Sequence, residues 1–467
     1  MLSLCNSVRQ FPSAGAKRDY RDSMAHLLVT AMPFAGHARP MTAVAAALLE
    51  RGHRVTAYTG AAYADAFDEL GCEVVQWRDA QDFDELHVAA TFPRVDRPGL
   101  LGSFGTLRDL LLGTAAGQLE DIAAAHARDP FDALVGDVMA VGTALAAERL
   151  GLPWATISLV PLSLPSQDLP PAGLALRPGQ GVMGRVRDRV LRALVPTASR
   201  SLDRAWQAVR AQAGLPRGKP FGEALYSPRL VIATGSPLLE WPRGDLPASV
   251  EFVGLLAPRE AHLDERPLWT ETLAGEPRAV VLVTQGTFET DPRELLVPAL
   301  EGLAHDPVRV VGTTAGVAFP VEVPANARLV DFVPFAAVAP HASVGVTNGG
   351  WVGVLEMLSV GVPLVVAGGS LDKPEIAARV AWSGAGIDLR TRQPRPIRVR
   401  NAVREVLREP SFRERARAIS DEFATLGGAT RTATLVEGLL PVQPPERRRT
   451  ECRSHGDAAC DGVSAAP

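Results

Sequence analysis

The chain has 467 residues, more than one ordinary domain, and its length suggests two units of about 200 residues each. Its hydrophobic content of 46% and charged content of 21% are those of a soluble globular protein. A net charge of -4, with no basic stripe interleaved with aromatics, gives no general attraction to nucleic acid or to an anionic membrane.

Residues 1–23 lack the continuous apolar core of a signal peptide and are expected to form a disordered tail. His26 to Met32 reads as a short apolar strand, and Met41 to Gly52 as a helix with a glycine stop. His53 to Thr59 is the next strand, Ala61 to Leu70 a helix, and Cys72 to Gln76 a strand. Asp132 to Asp137 is strand-like, a helix runs out at Gly151 and Pro153, and WATISLV follows as a strand. The segment from Pro161 to Gly181, rich in Pro and Gly, reads as an irregular loop. An arginine-rich helical region follows and ends at Gly214, its arginines expected on a solvated face.

A second alternating series begins after Val250 to Pro258, the expected linker. AVVLVTQGT is a strand entering a turn, ELLVPALEGLA a helix, and VRVVGTT and ARLVDFVP are strands. SVGVTNGG, a helix, PLVVAGG, a helix from Pro374 to Gly384, and a helix in PSFRERARAISDEFATLGG complete it. Short apolar strands alternating with helices of about a dozen residues predict an α/β fold of two doubly wound, Rossmann-like domains facing across a cleft. The expected boundaries are a tail at 1–23, an acceptor-side domain at 24–249, a linker at 250–258, a nucleotide-side domain at 259–440, and a disordered tail at 441–467. The last helix is a candidate to pack back on the first domain.

The four cysteines, Cys5, Cys72, Cys452 and Cys460, form no C-x-x-C pair and no disulfide framework, which fits a reducing cytoplasm. No apolar run reaches the roughly 18 residues needed to span a bilayer. No metal is expected, because there is no D-x-D near a strand end and no cysteine–histidine cluster.

The most informative stretch is VGVTNGGWVGVLEML, residues 344–358. A buried-type strand runs into Asn348-Gly349-Gly350 and then into a helix. Such a turn presents unpaired N–H groups and the positive end of a helix dipole, and glycine keeps no side chain between them and an anion. A phosphate or diphosphate is the expected ligand, against the plainer reading of a simple strand-to-helix turn. Neither of two common phosphate motifs is present: there is no G-x-x-x-x-G-K-[ST], and MPFAGHARP lacks G-x-G-x-x-G. Strand two ends at Tyr58-Thr59-Gly60, where a nicotinamide enzyme needs an acidic residue for the ribose.

Taken together, PFAGHARP, VTQGT (Val283 to Thr287), DFVPF (Asp331 to Phe335) and Thr347 to Leu389 resemble, in order, four motifs of the GT-B glycosyltransferases that act on small molecules. That group includes macrolide and other antibiotic glycosyltransferases and UDP-glycosyltransferases, and the resemblance covers roughly residues 24–440. It implies that Glu356 accepts from the nucleotide ribose, and that Phe332 stands where the family stacks a Trp on the base while the Val333 backbone meets the base edge. It implies that Gly286 and Thr287 close over the diphosphate, and that Asn348, Gly349, Gly350, Trp351 and Val352 form the opposing helix-start site. Asp372 and Lys373 replace the Asp/Glu-Gln pair that reads sugar hydroxyls, a carboxylate beside a long donor. Asn348 departs from the family's usual His, and its neutral amide is the weaker phosphate anchor. His341 is expected to cap a helix or face solvent.

An acceptor hydroxyl needs a base to take its proton as the glycosidic bond forms. His37 follows the first strand directly and has an ordinary pKa suited to that task. Asp137, at the end of its strand, is the expected partner that orients the ring, with a helix N-cap as the alternative. The expected activity is an inverting, metal-independent hexosyl transfer from a UDP- or dTDP-sugar to a hydroxyl of a lipophilic small molecule such as a polyketide aglycone. The nucleotide sugar is a co-substrate, and no other cofactor is expected. Peripheral membrane contact is expected only for a lipid acceptor. A nucleotide-sugar epimerase and a non-catalytic partner of the same fold are the alternatives.

Overall fold

The computed structural model describes residues 24–93, 105–257, 267–286, 291–317, 319, 321–333 and 335–440. The two expected tails, Thr287 and the last residue of the expected linker, Pro258, lie outside the described residues. Two parallel sheets form the framework. The first has strands β1 (His26–Thr30), β2 (Arg54–Thr59), β3 (Glu73–Gln76), β4 (Ala133–Asp137), β5 (Trp154–Ser158), β6 (Val231–Thr234) and β7 (Val250–Gly254), in the order β3-β2-β1-β4-β5-β6-β7. The second has β8 (Ala279–Thr284), β9 (Val308–Thr313), β10 (Ala327–Val330), β11 (Ala342–Thr347), β12 (Leu364–Val366) and β13 (Gly386–Asp388), in the order β10-β9-β8-β11-β12-β13.

Period-two alternation builds the cores. In β1, Leu28 enters one apolar cluster while Leu27 and Val29 enter the cluster on the other face. In β8, Val280 and Leu282 face one cluster and Val281 and Val283 the other. Both faces are therefore covered, as parallel sheets require.

Helices of eight or more residues are α1 (Ala35–Glu50), α2 (Gly113–Arg128), α3 (Gly142–Leu150), α4 (Gly181–Ala198), α5 (Arg200–Gln212), α6 (Leu296–Leu303), α7 (Trp351–Ser359), α8 (Lys373–Ser383), α9 (Pro396–Arg408), α10 (Pro410–Leu426) and α11 (Gly428–Glu437). The chain order reverses twice. In the first sheet β1 is followed on one side by β2 and β3, and β4 then pairs on its other side, with Thr30 beside Gly136. In the second sheet β8 is followed by β9 and β10, and β11 pairs on the far side, with Thr284 beside Thr347. The loops leaving the two flanking strands diverge at such a point and open a crevice at the strand C-termini.

Three expectations change. Val250–Gly254 belongs to the first sheet, not to a linker: it pairs in parallel with β6, and its Val253 is buried in the core. Helix α1 begins at Ala35, six residues before the expected Met41, and runs through Pro40. Pro40 is the sixth residue of α1, so the helix forgoes the i→i−4 bond to the Gly36 carbonyl there and continues through an interior proline. Not all the arginines of the helical region before Gly214 are solvated: Arg210 is buried, pairs with Glu148 at 2.7 Å and lies over Trp206.

After α10 the chain breaks at Gly427 and Gly428, both with positive φ, and α11 packs on the first sheet's core through Ala433 and Val436. There Glu437 takes Arg51 at 2.6 Å and His53 at 3.1 Å. Cys72 is a buried free thiol, and burial pushes its pKa up to about 11. Among the described residues no helix is long and apolar enough to cross a membrane.

Candidate active site

His37 sits in the first turn of α1, directly after β1, and Asp137 is the last residue of β4. The two strands on either side of the first reversal thus deliver the two side chains to one point. The His37 ring places Nδ1 3.0 Å from both Asp137 oxygens. The Asp137 side chain is 0% exposed and that of His37 13%. Asp137 also accepts from the Met32 and Met139 N–H groups, each at 3.1 Å. It does not cap α3, which starts five residues later with Val141 before it.

A carboxylate only accepts, so Nδ1 carries the proton and Nε2 of the neutral ring keeps its lone pair. Burial pulls the His37 pKa down, but attraction to Asp137 and their hydrogen bond outweigh it, with added pull from Asp372 and Glu85, so the net shift is upward. Asp372, at the start of α8 in the second lobe, adds to that upward pull on the imidazole of the first.

Glu85 carries no sequence motif, yet one of its oxygens accepts from the Ala35 N–H at 2.8 Å, closing the start of α1, and the other from the Tyr63 hydroxyl at 2.6 Å. Phe34, half-buried, lies 5.9 Å from the His37 ring and 5.0 Å from Phe83, whose ring neighbours Trp77 and Phe92. His37 therefore stands at the edge of an aromatic wall.

The second reversal brings Gln285-Gly286, after β8, beside Asn348-Gly349-Gly350, after β11. Asn348 Nδ2 donates to the Gln285 carbonyl, and its Oδ1 accepts from the Gly350 N–H at 3.4 Å. One amide hydrogen of Asn348 is thus committed to tying the two loops together. Gly349 has φ +92°, and a Cβ there would lie 3.0 Å from Val366 and 3.4 Å from the Lys373 carbonyl. Gly286, at φ +78°, packs against the Asn348 amide. Helix α7 opens on Gly350 with no side-chain cap. The first N–H groups of a helix have no intrahelical acceptor, so those of Trp351 and Val352 are turned toward the crevice end with the positive pole of the dipole.

The remaining expected residues are spread around this turn. Glu356 is half-buried in the second turn of α7. Phe332 is 64% exposed beyond the end of β10, while Val333 packs on the core. Lys373 is buried at 7% exposure and is no surface lysine. The Trp351 indole faces the first lobe: Nε1 donates to the Thr234 hydroxyl at 2.9 Å, and the ring fills the place a Cβ on Gly235 would take. His341 is exposed at the end of a single 3-10 turn.

A buried polar network also joins the lobes without having announced itself in the sequence. Arg379 of α8 bonds Glu240 at 2.9 Å and Glu375 at 2.6 Å, and its guanidinium lies 5.5 Å from the Trp241 ring centre. Glu375 in turn accepts from the Gly173 and Ala175 N–H groups at 2.9 and 2.8 Å, holding the Pro-rich loop. Among the described residues no cluster of three or more His, Cys, Asp or Glu is placed to hold a metal ion.

Comparison with known proteins accounts for this architecture. Residues 313–437 match the family described as Erythromycin biosynthesis protein CIII-like, C-terminal domain. Over 421 residues the chain is 38% identical to 4'-demethylrebeccamycin synthase of Lentzea aerocolonigenes, covering 89% of this chain and 100% of that relative. The chain belongs to the GT-B glycosyltransferases. It is 30% identical to UDP-glucosyltransferase B1 of Starmerella bombicola, over 85% of this chain and 94% of the relative. Among solved GT-B structures, the glycosyltransferase of kitacinnamycin superposes with a TM-score of 0.71 at 26% identity, over 90% of this chain and 100% of that one. The calicheamicin glycosyltransferase CalG4 shares the fold, with a TM-score of 0.67 at 24% identity over 90% and 100%. In this GT-B chain the two sheets are the two halves of the fold, and the two topological reversals mark the candidate site.

Proposed function

We propose that this glycosyltransferase moves a hexosyl unit from a UDP- or dTDP-sugar to a hydroxyl of a lipophilic natural-product aglycone, with inversion at the anomeric carbon. The observation that carries the reading is the His37–Asp137 pair at the first reversal, with Asp372 of the opposite lobe close enough to act on the imidazole. His37 Nε2 takes the acceptor proton while the acceptor oxygen bonds to the anomeric carbon. The bond from that carbon to the diphosphate oxygen breaks in the same step, and the nucleoside diphosphate leaves with the electron pair. Asp137 stabilises the imidazolium.

The leaving charge is met by the N–H groups at Trp351 and Val352 and by the dipole of α7. Gly349 and Gly286 keep side chains out of that space, and Thr287 is proposed to close over the diphosphate. Glu356 reads the ribose, Phe332 and Val333 the base, and Asp372 and Lys373 the sugar. In this reading Asn348 serves mainly by fixing the two loops, since one donor is taken by Gln285. The mechanism uses no metal and no cofactor beyond the nucleotide sugar, and operates in the cytoplasm.

Support for the donor comes from relatives named as UDP-glycosyltransferases and from a GT-B neighbour solved with dTDP; support for the acceptor comes from the antibiotic-type relative. The epimerase alternative leaves the His37–Asp137 pair without a task. The non-catalytic alternative leaves an assembled base with nothing to deprotonate. The test is incubation with several nucleotide sugars, with and without an aromatic or polyketide aglycone. Free nucleoside diphosphate should appear in step with a glycoside of inverted anomeric configuration, and sugar interconversion without acceptor would refute the reading.

A further inference from the structure

Helix α4 is mounted with its apolar stripe outward. Val182, Val186, Val190 and Leu194 recur at four-residue spacing, which places them on one face, and Met183 flanks them. All five are between 51 and 87% exposed. The line that packs inward is instead Gly184, Asp188, Leu191 and Arg192. Asp188 is buried and accepts from the Gly179 N–H at 2.7 Å, while Arg192 donates to the Leu169 carbonyl at 2.7 Å. Polar contacts fasten the helix, so its outward stripe does not arise from loose docking.

Charge decides what fits this face. Arg185, Arg187 and Arg189 are exposed on α4, and its one acidic residue, Asp188, is buried. Across α4 and α5 there are seven arginines against two aspartates, in a chain whose net charge is -4. A second copy meeting this face across a two-fold axis would oppose arginine to arginine with no acid on the helix to pair. An 18-residue helix with a continuous apolar stripe and flanking arginines is instead built to lie in a negatively charged bilayer surface.

We propose that α4 docks the enzyme on anionic phospholipid, with Val182, Met183, Val186, Val190 and Leu194 entering the headgroup boundary and Arg185 and Arg189 beside lipid phosphates. This holds whatever sugar or acceptor the enzyme uses. The helix also leads to the cleft: Leu169, held by Arg192, packs with Trp241 and with Ala378 of α8. The overall charge of -4 had argued against membrane attraction, but the local distribution reverses that argument at this face.

The experiment is co-sedimentation of the full chain with phosphatidylglycerol-containing vesicles and with pure phosphatidylcholine vesicles, at low and high salt. Partition onto the anionic vesicles should exceed that onto neutral ones at least about tenfold and fall at high salt. The Val186→Glu/Val190→Glu variant and, separately, Arg185→Glu/Arg189→Glu should each weaken it about tenfold or more while circular dichroism and melting stay unchanged, since all four positions are exposed. The proposal is overturned by equal partition onto both lipids, by partition unaffected in either variant, or by absence of partition. It is equally overturned if size-exclusion shows a wild-type dimer that Val186→Glu/Val190→Glu dissolves while lipid binding is missing.

Discussion

Asp137 does two things for His37: it fixes which nitrogen carries the proton, and it pairs with the charge that forms when Nε2 takes another. Replacing it with asparagine keeps the shape and removes the charge, so Asp137→Asn should lower kcat by about two to four orders of magnitude with little change in donor KM. The pH profile gives an independent check. Because the folded His37 pKa lies above 6.5, the acid limb of kcat/KM in the wild type should have its midpoint above that value, and Asp137→Asn should move it down. Stability runs in the opposite sense: the His37–Asp137 attraction contributes fully below about pH 6.5 and fades as pH rises through the raised folded value. At Asn348 the expected loss is structural. Asn348→Ala leaves the buried Gln285 carbonyl without this donor, which costs about 1–3 kcal/mol in denaturant melts, and donor KM should rise as the two loops part. Asp137, Asn348 and the paired glycines could be placed from the sequence because they end or directly follow a strand, and His37 because it lies between the first strand and the first helix, where the chain pattern alone predicts a ligand-facing position. Glu85, Glu240 and Arg379 were not, because the contacts that define them, Glu85 with the Ala35 N–H and Arg379 with Glu240, span 50 and 139 residues and only folding brings them together.

The elements that the sequence made plain are those with compact apolar runs or glycine stops, such as β1, β8, β11 and the helix ending at Gly384. Strand β6 is a four-residue run, VIAT, between polar loops, and α2 is alanine-rich with a weak stripe; neither stood out. Proline misplaced the start of α1, with the consequence that His37 is held by a helical turn and not by a loop. That start depends on Glu85, so Glu85→Ala should cost about 1 kcal/mol of stability, the ordinary worth of a helix N-terminal acceptor. It should also lower kcat more than donor KM, because the first turn of α1 positions the ring. The meeting of β6 and α7 gives a second test. Gly235 has φ +89°, and a Cβ there would lie 2.7 Å from the Trp351 ring, so Gly235→Ala should lower the melting temperature through both strain and overpacking, a loss of about 1–3 kcal/mol.

At the scale of the whole molecule, two doubly wound sheets each reverse once, and in the proposed mechanism the two reversals hold the two halves of one reaction. One carries His37 and its aromatic surroundings, the other a bare helix start. Trp351 and the Glu240–Arg379–Glu375 network span the lobes, and Asp372 of the second lobe adds to the upward pull on the His37 pKa. The measurement that tests this arrangement most directly is a crystal structure of the enzyme with UDP or dTDP bound. The diphosphate oxygens are predicted to lie about 3 Å from the backbone N–H groups of Trp351 and Val352, with His37 Nε2 facing the space beyond the terminal phosphate where the sugar belongs. A diphosphate bound elsewhere, or a His37 ring turned away from that space, would contradict the account.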